Sequence, residues 1–300
     1  MRNRRFSAVL ALAATLALVG AACASNNTPS SGGGGSGTPQ QGGGDLLAKI
    51  MDQGFITVST DPKYAPQSFL DDQGQYVGFD IDVAKEIAKR LGVQVHWTAP
   101  AWNSIISGHW SGRWDMSVGS MTVTPERAQV LDFTPPYRYD PAGVAVYKTN
   151  TTINDVTTDL DGKTIGVCGG CTYEFYLEKT LDLPNATFNF VVDDANVKTY
   201  NTDTTAIEDL SLGDGARLDA VVSAKPTLEE AAKKGAPIRV LDQPLFSEPL
   251  AVAFDKSSEL DETSLYKKVS DIIDQMHQDG TLTALSKKWY NGQDLTQPVS

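Results

Sequence analysis

The chain has 300 residues and carries 25 Lys and Arg against 37 Asp and Glu, a formal net charge of −12. That acidic balance disfavours nucleic acid and anionic lipid head groups as partners. The stretch of about 255 residues after the N-terminal segments is long enough to bury one large core or two smaller ones.

The N-terminus places Arg2, Arg4 and Arg5 ahead of an almost uninterrupted apolar stretch, residues 6–22, followed by Cys23. A charged start and an apolar run too short to span a bilayer comfortably read as an export signal over residues 1–22, with an uncleaved anchor as the alternative. Val19, Gly20, Ala21 and Ala22 are small enough for signal-peptidase cleavage. They resemble a bacterial lipobox in which Cys23 is lipidated, although Gly20 stands where such boxes usually have Leu. Residues 23–44 are dominated by Gly, Ser, Asn, Thr, Pro and Gln. With nothing to bury, they predict a flexible tether of roughly 25 Å root-mean-square reach. Without the three signal arginines, 22 basic residues face 37 acidic ones, a charge of −15.

From residue 45 onward, short apolar runs alternate with helical patterns. Strands are predicted at 56–59, 93–97, 114–119, 143–147, 164–167, 188–192, 218–222, 238–241 and 250–254. Helical faces appear at Val83, Ile87 and Leu91, at Tyr173, Tyr176, Leu177 and Leu181, and at Leu265, Val269, Ile272, Ile273 and Met276. Gly280 is expected to cap the last long helix, with a shorter one at 281–289. Alternating strands and helices predict α/β architecture with mostly parallel sheets, and the strand number predicts two lobes.

Three stretches carry chemistry. The first strand runs into Thr60 and Asp61, placing them at the carboxyl edge where ligands bind in open α/β sheets. Tyr64 and Trp102 could add aromatic walls there and Asp61 could neutralise a cation; an Asp-Pro turn with core aromatics is the alternative. In SMTVTPERAQ (120–129), Thr124 and Pro125 predict a helix start. Arg127 then falls in the first turn, where the helix dipole favours negative charge. Beside the Ser120 and Thr122 hydroxyls it is suited to grip a carboxylate bidentately; a surface arginine paired with a nearby acid is the alternative.

The third stretch is VCGGCT (167–172). Its two cysteines could be half of a zinc site, a redox pair, a disulfide or part of a ligand loop. If Cys23 carries lipid, Cys168 and Cys171 are the remaining pair in an oxidising compartment, which makes a disulfide the leading reading. Zinc would need two further ligands, and His96, His109 and His277 are scattered along the chain.

Together GFDIDVAKEIAKRLG (78–92), the run 102–137, ARLDAVVS (216–223) and GTLTALSKKWYNGQDL (280–295) resemble the amino-acid-binding solute receptors of ABC importers, family 3. The resemblance implies two Rossmann-like α/β lobes joined by a two-stranded hinge, the type II periplasmic-binding-protein fold. Lobe one would comprise 45–141 plus 248–300, and lobe two 145–243. By position, Arg127 and Thr122 would hold an α-carboxylate, and a backbone carbonyl at Gly119 or Ser120 would accept from an α-ammonium. Trp102 and Tyr64 would flank the side chain, and Asp61 would face a side-chain cation. Similar receptors have a Gly-Thr-Thr-like turn at VCGGCT; here Thr172 matches its second Thr and Cys171 replaces its first. A disulfide there would stiffen the turn where lobe two closes on the ligand.

One departure stands out. Such receptors usually carry an ammonium-binding aspartate just after the Asp-Ala-Val strand, and Ala224 occupies that position. Either another acid such as Glu248 or Asp194 reaches in, or the ligand is not an ordinary α-amino acid.

The expected protein is a lipid-tethered monomer outside the cell that captures a small polar solute, a cationic amino acid slightly favoured, and presents it to a membrane permease. No cofactor, metal or nucleic acid is expected. The rival class is a cyclohexadienyl-dehydratase-like enzyme on the same fold, whose structural sign would be a cleft Glu with a raised pKa. A sensor domain is disfavoured because the chain ends soon after WYNGQDL.

Overall fold

The computed structural model describes residues 44–184 and 186–298. The export signal, Cys23 and all but the end of the tether lie outside the described residues. Among the described residues, no helix is long and apolar enough to cross a membrane.

The chain opens with α1 (Leu46–Gln53), β1 (Phe55–Ser59) and three short strands, β2 (Lys63–Tyr64), β3 (Ser68–Leu70) and β4 (Tyr76–Val77). Next come α2 (Phe79–Leu91), β5 (Gln94–Thr98), α3 (Trp102–Ile106), β6 (Met116–Thr122), α4 (Arg127–Val130), β7 (Leu131–Phe133) and β8 (Arg138–Tyr147). The middle of the chain forms β9 (Thr164–Cys168), α5 (Thr172–Leu177), β10 (Asn196–Tyr200), α6 (Asp203–Leu210), β11 (Ala220–Ala224), α7 (Lys225–Lys233) and β12 (Ile238–Val240). It closes with β13 (Ser247–Asp255), α8 (Thr263–Gln278) and α9 (Thr281–Trp289).

Ten strands form one continuous mixed sheet, ordered β10-β9-β11-β8-β13-β6-β1-β5, with β12 beside β8 and β7 beside β13. The expected parallel pairing holds for β10-β9-β11 and for β5-β1-β6, but β8 and β13 run antiparallel to their neighbours. These two long strands explain the difference. They pair with each other over Arg138–Pro141 and Ser247–Leu250, then diverge, β8 onto β11 and β12, β13 onto β6 and β7. They therefore carry the backbone twice between two lobes.

Each lobe has its own apolar interior. In one, Ile56, Val58 and Met116 of the sheet pack under Val83 and Ile87 of α2 and Leu265, Val269, Ile272 and Met276 of α8. These are the apolar stripes read from the sequence, and burying each such side chain stabilises the fold by roughly 1.5–3 kcal/mol. In the other lobe, Val144, Ile165, Val167 and Val222 pack against Tyr173, Tyr176 and Leu177. Asp279 caps α8, and Gly280 follows in the left-handed region (φ 79°), joining α8 to α9.

Two expectations need correction. Residues 188–192 are not a strand; Phe188 and Phe190 are apolar because they pack on Tyr176, and Phe188 also meets Phe246. The strand lies instead at β10, whose half-exposed NVKTY gives a weak apolar signal. The helix at Thr124-Pro125 starts two residues late, at Arg127, although the Thr124 hydroxyl does accept the Arg127 N–H at 3.2 Å.

Candidate functional site

The parallel strands of both lobes point their carboxyl ends at one cavity, as ligand sites in open α/β sheets do. Thr60 and Asp61 follow β1, and Gly119, Ser120 and Thr122 end β6. Cys168 ends β9, with Cys171, Thr172 and Tyr173 at the start of α5. Asn201, Thr202 and Asp203 follow β10, and Glu248 comes from the hinge strand β13. Tyr64, Pro100, Trp102, Ile105 and Arg127 complete the wall. The nine candidate residues Asp61, Tyr64, Trp102, Gly119, Ser120, Thr122, Arg127, Cys171 and Thr172 thus all line one cavity of about 80 Å³. At roughly 10–15 Å³ per water in this measure, it has room for several waters or one small solute.

Arg127 is 4% exposed. Its Nη1 donates to the Thr122 carbonyl at 2.9 Å and its Nη2 crosses to the Gly170 carbonyl at 2.8 Å, while its guanidinium lies 5.1 Å from the Trp102 ring centroid. Burial pushes its pKa down to about 10. Trp102 Nε1 also reaches the Gly170 carbonyl, at 3.3 Å. On another side of the molecule, the Thr204 hydroxyl donates to the Lys63 carbonyl at 2.6 Å. The lobes are therefore in contact across the cavity.

Two hydroxyls expected near Arg127 are engaged elsewhere. Ser120 sits in the left-handed region (φ 54°), where β6 and β13 slip in register. Its hydroxyl donates to Asp80 at 2.7 Å and accepts from Arg138 at 2.7 Å, and its N–H donates to the Tyr137 hydroxyl. Gly78, just before α2, lets the start of that helix approach the Pro66-Gln67 backbone: a Cβ there would run into the Gln67 carbonyl. The Thr122 hydroxyl donates to Glu248 at 2.6 Å, and so does that of Thr172, at 2.5 Å, one from each lobe.

Cys168 and Cys171 are joined by a disulfide that closes the Gly169-Gly170 turn, with the Cys171 N–H on the Cys168 carbonyl at 3.3 Å. That turn presents the carbonyl held by Arg127 and Trp102. No cluster of three or more metal-ligating side chains occurs among the described residues.

The charge balance is the most informative feature. Three carboxyl groups line the cavity, Asp61, Asp203 and Glu248, and Arg127 is the one basic side chain among the described residues that line it. Burial raises all three acids above their ordinary values, Asp203 to about 6. Asp61 and Glu248 push Asp203 further in that direction, while hydrogen bonding to Ser223 opposes it. Mutual repulsion between acids is relieved by a cation, so a positively charged group in the cavity would favour the ionised form of these carboxyls.

Asp203, Asn201, Thr202 and Tyr173 were not among the candidates read from the sequence. The signal for Asp203 was available: Thr202 caps α6 directly after a strand, which places its neighbours at the ligand edge. It is masked because the apolar run 188–192 carries a stronger strand signal than β10 itself. Of the two acids considered for the role vacated at Ala224, Glu248 lines the cavity and Asp194 is not among its lining residues.

A two-lobed α/β protein with a cavity between lobes joined by two crossing strands has the architecture of the solute receptors. Residues 56–292 match the bacterial extracellular solute-binding proteins, family 3, and the chain belongs to that family. It is 32% identical over 253 residues to the L-cystine-binding protein TcyJ of Escherichia coli strain K12, covering 84% of this chain and 88% of that protein. Among solved structures, an ancestral amino acid-binding protein that is a precursor of cyclohexadienyl dehydratase superposes with a TM-score of 0.70. The two are 32% identical, over 82% of this chain and all of that one. An ancestral arginine-binding protein bound to arginine gives a TM-score of 0.66 at 31% identity, over 79% and 98%. The fold is that of the type II periplasmic binding proteins.

Proposed function

We propose that the protein is the extracytoplasmic receptor of an ABC importer, binding an amino acid with a cationic side chain between its lobes and delivering it to a membrane permease. The observation that carries the reading is the set of three carboxyl groups, buried Asp203 and Glu248 and half-buried Asp61, with one buried arginine around a cavity with aromatic walls. Arg127 takes the α-carboxylate, and the Thr122 and Thr172 hydroxyls turn to it from Glu248 when the ligand binds. The Gly119 and Ser120 backbone takes part in holding the α-ammonium, and Trp102 and Tyr64 flank the side chain, whose charge faces Asp61. Cys171 shapes the turn from the second lobe. The names of the relatives support an amino acid, since they bind L-cystine and arginine.

Closure follows from contacts made by both lobes, 45–141 plus 248–300 and 145–243, which shift an equilibrium between open and closed forms. In the cell, residues 1–22 direct export, Cys23 carries lipid at the outer face of the membrane, and residues 23–44 tether a monomer that uses no cofactor. Calorimetric titration of the ligand-stripped protein with L-arginine, L-lysine, L-cystine and L-glutamine tests the reading. Selective, tight binding of the basic amino acids is expected. Binding of none of the four would overturn the amino-acid assignment.

One observation favours a second reading. Glu248 is a buried cleft glutamate whose pKa is raised, the feature an elimination catalyst would use as a general acid. Incubation with a cyclohexadienyl substrate separates the two: aromatic product accumulating over many turnovers would establish the enzyme, and stoichiometric binding alone would leave the receptor.

A further inference from the structure

Asp203 is a nine-tenths buried carboxylate in the first turn of α6. Its Oδ1 accepts the Ser223 hydroxyl at 2.5 Å. Ser223 directly precedes Ala224 at the carboxyl end of β11, so the Asp203 carboxylate is tied to the strand end where similar receptors keep their ammonium-binding aspartate. It lines the ligand cavity, and the charges that bear on it, Asp61 and Glu248, are both negative. A buried acid surrounded by acids is poorly compensated within the protein itself.

The other two cavity acids have other places in the proposed site. Glu248 Oε2 is held by hydroxyls from both lobes and feels the Arg127 charge, which assigns it to the carboxylate end of the cavity. Asp61 belongs to the other lobe, where its Oδ1 accepts the Lys63 N–H at 2.7 Å. We infer that Asp203 supplies the second lobe's counter-charge to the ligand's α-ammonium, with Ser223 as its positioning residue, in place of the acid absent at position 224. This inference rests on the amino-acid reading given under Proposed function.

The chemistry has a mechanical consequence. An ammonium group bound to Asp203 and to the β6 backbone at Gly119 and Ser120 bridges the two lobes. The ligand's α-ammonium, and not only its carboxylate, then closes the cleft.

The test uses ligands that differ by this one group: L-arginine and 5-guanidinopentanoate, which keeps the guanidinium and carboxylate but lacks the α-ammonium. Both are titrated into the wild-type protein, Asp203→Asn, Ser223→Ala and Asp61→Asn. Asp203→Asn should weaken L-arginine on the order of 100-fold while leaving 5-guanidinopentanoate within about threefold. Ser223→Ala, which leaves the acid but frees it, should show the same selectivity at about tenfold. Asp61→Asn should weaken both ligands alike. Equal losses of both ligands in Asp203→Asn, or an unchanged affinity for L-arginine, would overturn the assignment. Wild-type protein that binds neither ligand would sink the underlying basic-amino-acid reading itself, a result distinct from a silent Asp203→Asn in a protein that binds arginine. Asparagine keeps the size and the acceptor for Ser223, and Ser223→Ala gives an independent readout if Asp203→Asn melts early.

Discussion

Arg127 is buried with carbonyls, not carboxylates, as its hydrogen-bond acceptors, and its Nε has no partner in the structure. A cation so placed is an open position for an anion, which is why its residue type and its place after a strand could be read as a carboxylate grip. The helix dipole adds little at Arg127, because α4 is only four residues long and Arg127 opens it. The flat guanidinium does three things that an ammonium cannot do together: it reaches Thr122, reaches Gly170 in the other lobe, and lies over Trp102. Arg127→Lys should therefore weaken L-arginine binding by about 100-fold or more, while the protein still melts cooperatively. Calorimetry alongside a thermal scan checks both, and an affinity within threefold of wild type would remove Arg127 from the ligand site.

The β9-α5 turn meets the opposite lobe through the Gly170 carbonyl, and its glycines and disulfide shape it together. Gly170 has a φ of 74°, in the left-handed region, and turns its carbonyl toward Trp102 and Arg127. The cysteines and glycines of this turn are legible in the sequence, but not the carbonyl that does the bridging, since backbone direction has no residue-type signature. The same limit applies to β10. An edge strand with one exposed face carries few apolar residues, so its signal was weaker than that of FNFVV, which is apolar for packing. Missing that strand hid Asn201, Thr202 and Asp203. By contrast α2, α8 and the buried strands β1, β6 and β13 were legible because burial on one or both faces writes itself directly into side-chain type.

Breaking the cross-link, in a Cys168→Ser, Cys171→Ser double variant, releases a loop of four residues. Chain entropy assigns such a loop about 2 kcal/mol. At roughly 2–4 °C per kcal/mol for a chain of this size, Tm should fall by about 4–8 °C. L-arginine affinity should fall several-fold, because the turn must be ordered again on binding. A double variant with unchanged affinity would show that Gly170 is held by the surrounding packing alone.

Taken over the whole molecule, the buried acids set an unusual response to pH. Burial raises Asp80, beneath the cavity floor, and Asp203, at its wall, from 3.8 to about 6, and Asp61, Asp140 and Glu248 move the same way. A carboxyl whose pKa is higher folded than unfolded makes the native state bind more protons between the two values. Stability therefore declines as pH rises through the window from about 4 to 6. Acids lowered by hydrogen bonds and ion pairs, such as Asp279 at about 2, work the other way, but they lose their contribution only below about pH 4. The ligand-free protein should accordingly be most stable in mildly acidic buffer. Between pH 5 and 7.5, Asp80 and Asp203 together remove roughly 3 kcal/mol, or about 6–12 °C of Tm. A cationic ligand reverses this trend at Asp203, because its charge favours the ionised form that burial opposes. The increase in Tm given by L-arginine should thus be larger at pH 7.5 than at pH 5, and binding near pH 6 should release protons, seen as a dependence of the calorimetric heat on the buffer's ionisation enthalpy. If ligand-free Tm climbs from pH 5 to 7.5 and binding releases no protons, the acids of the cavity are not held in the strained, proton-hungry state from which a cationic ligand would relieve them.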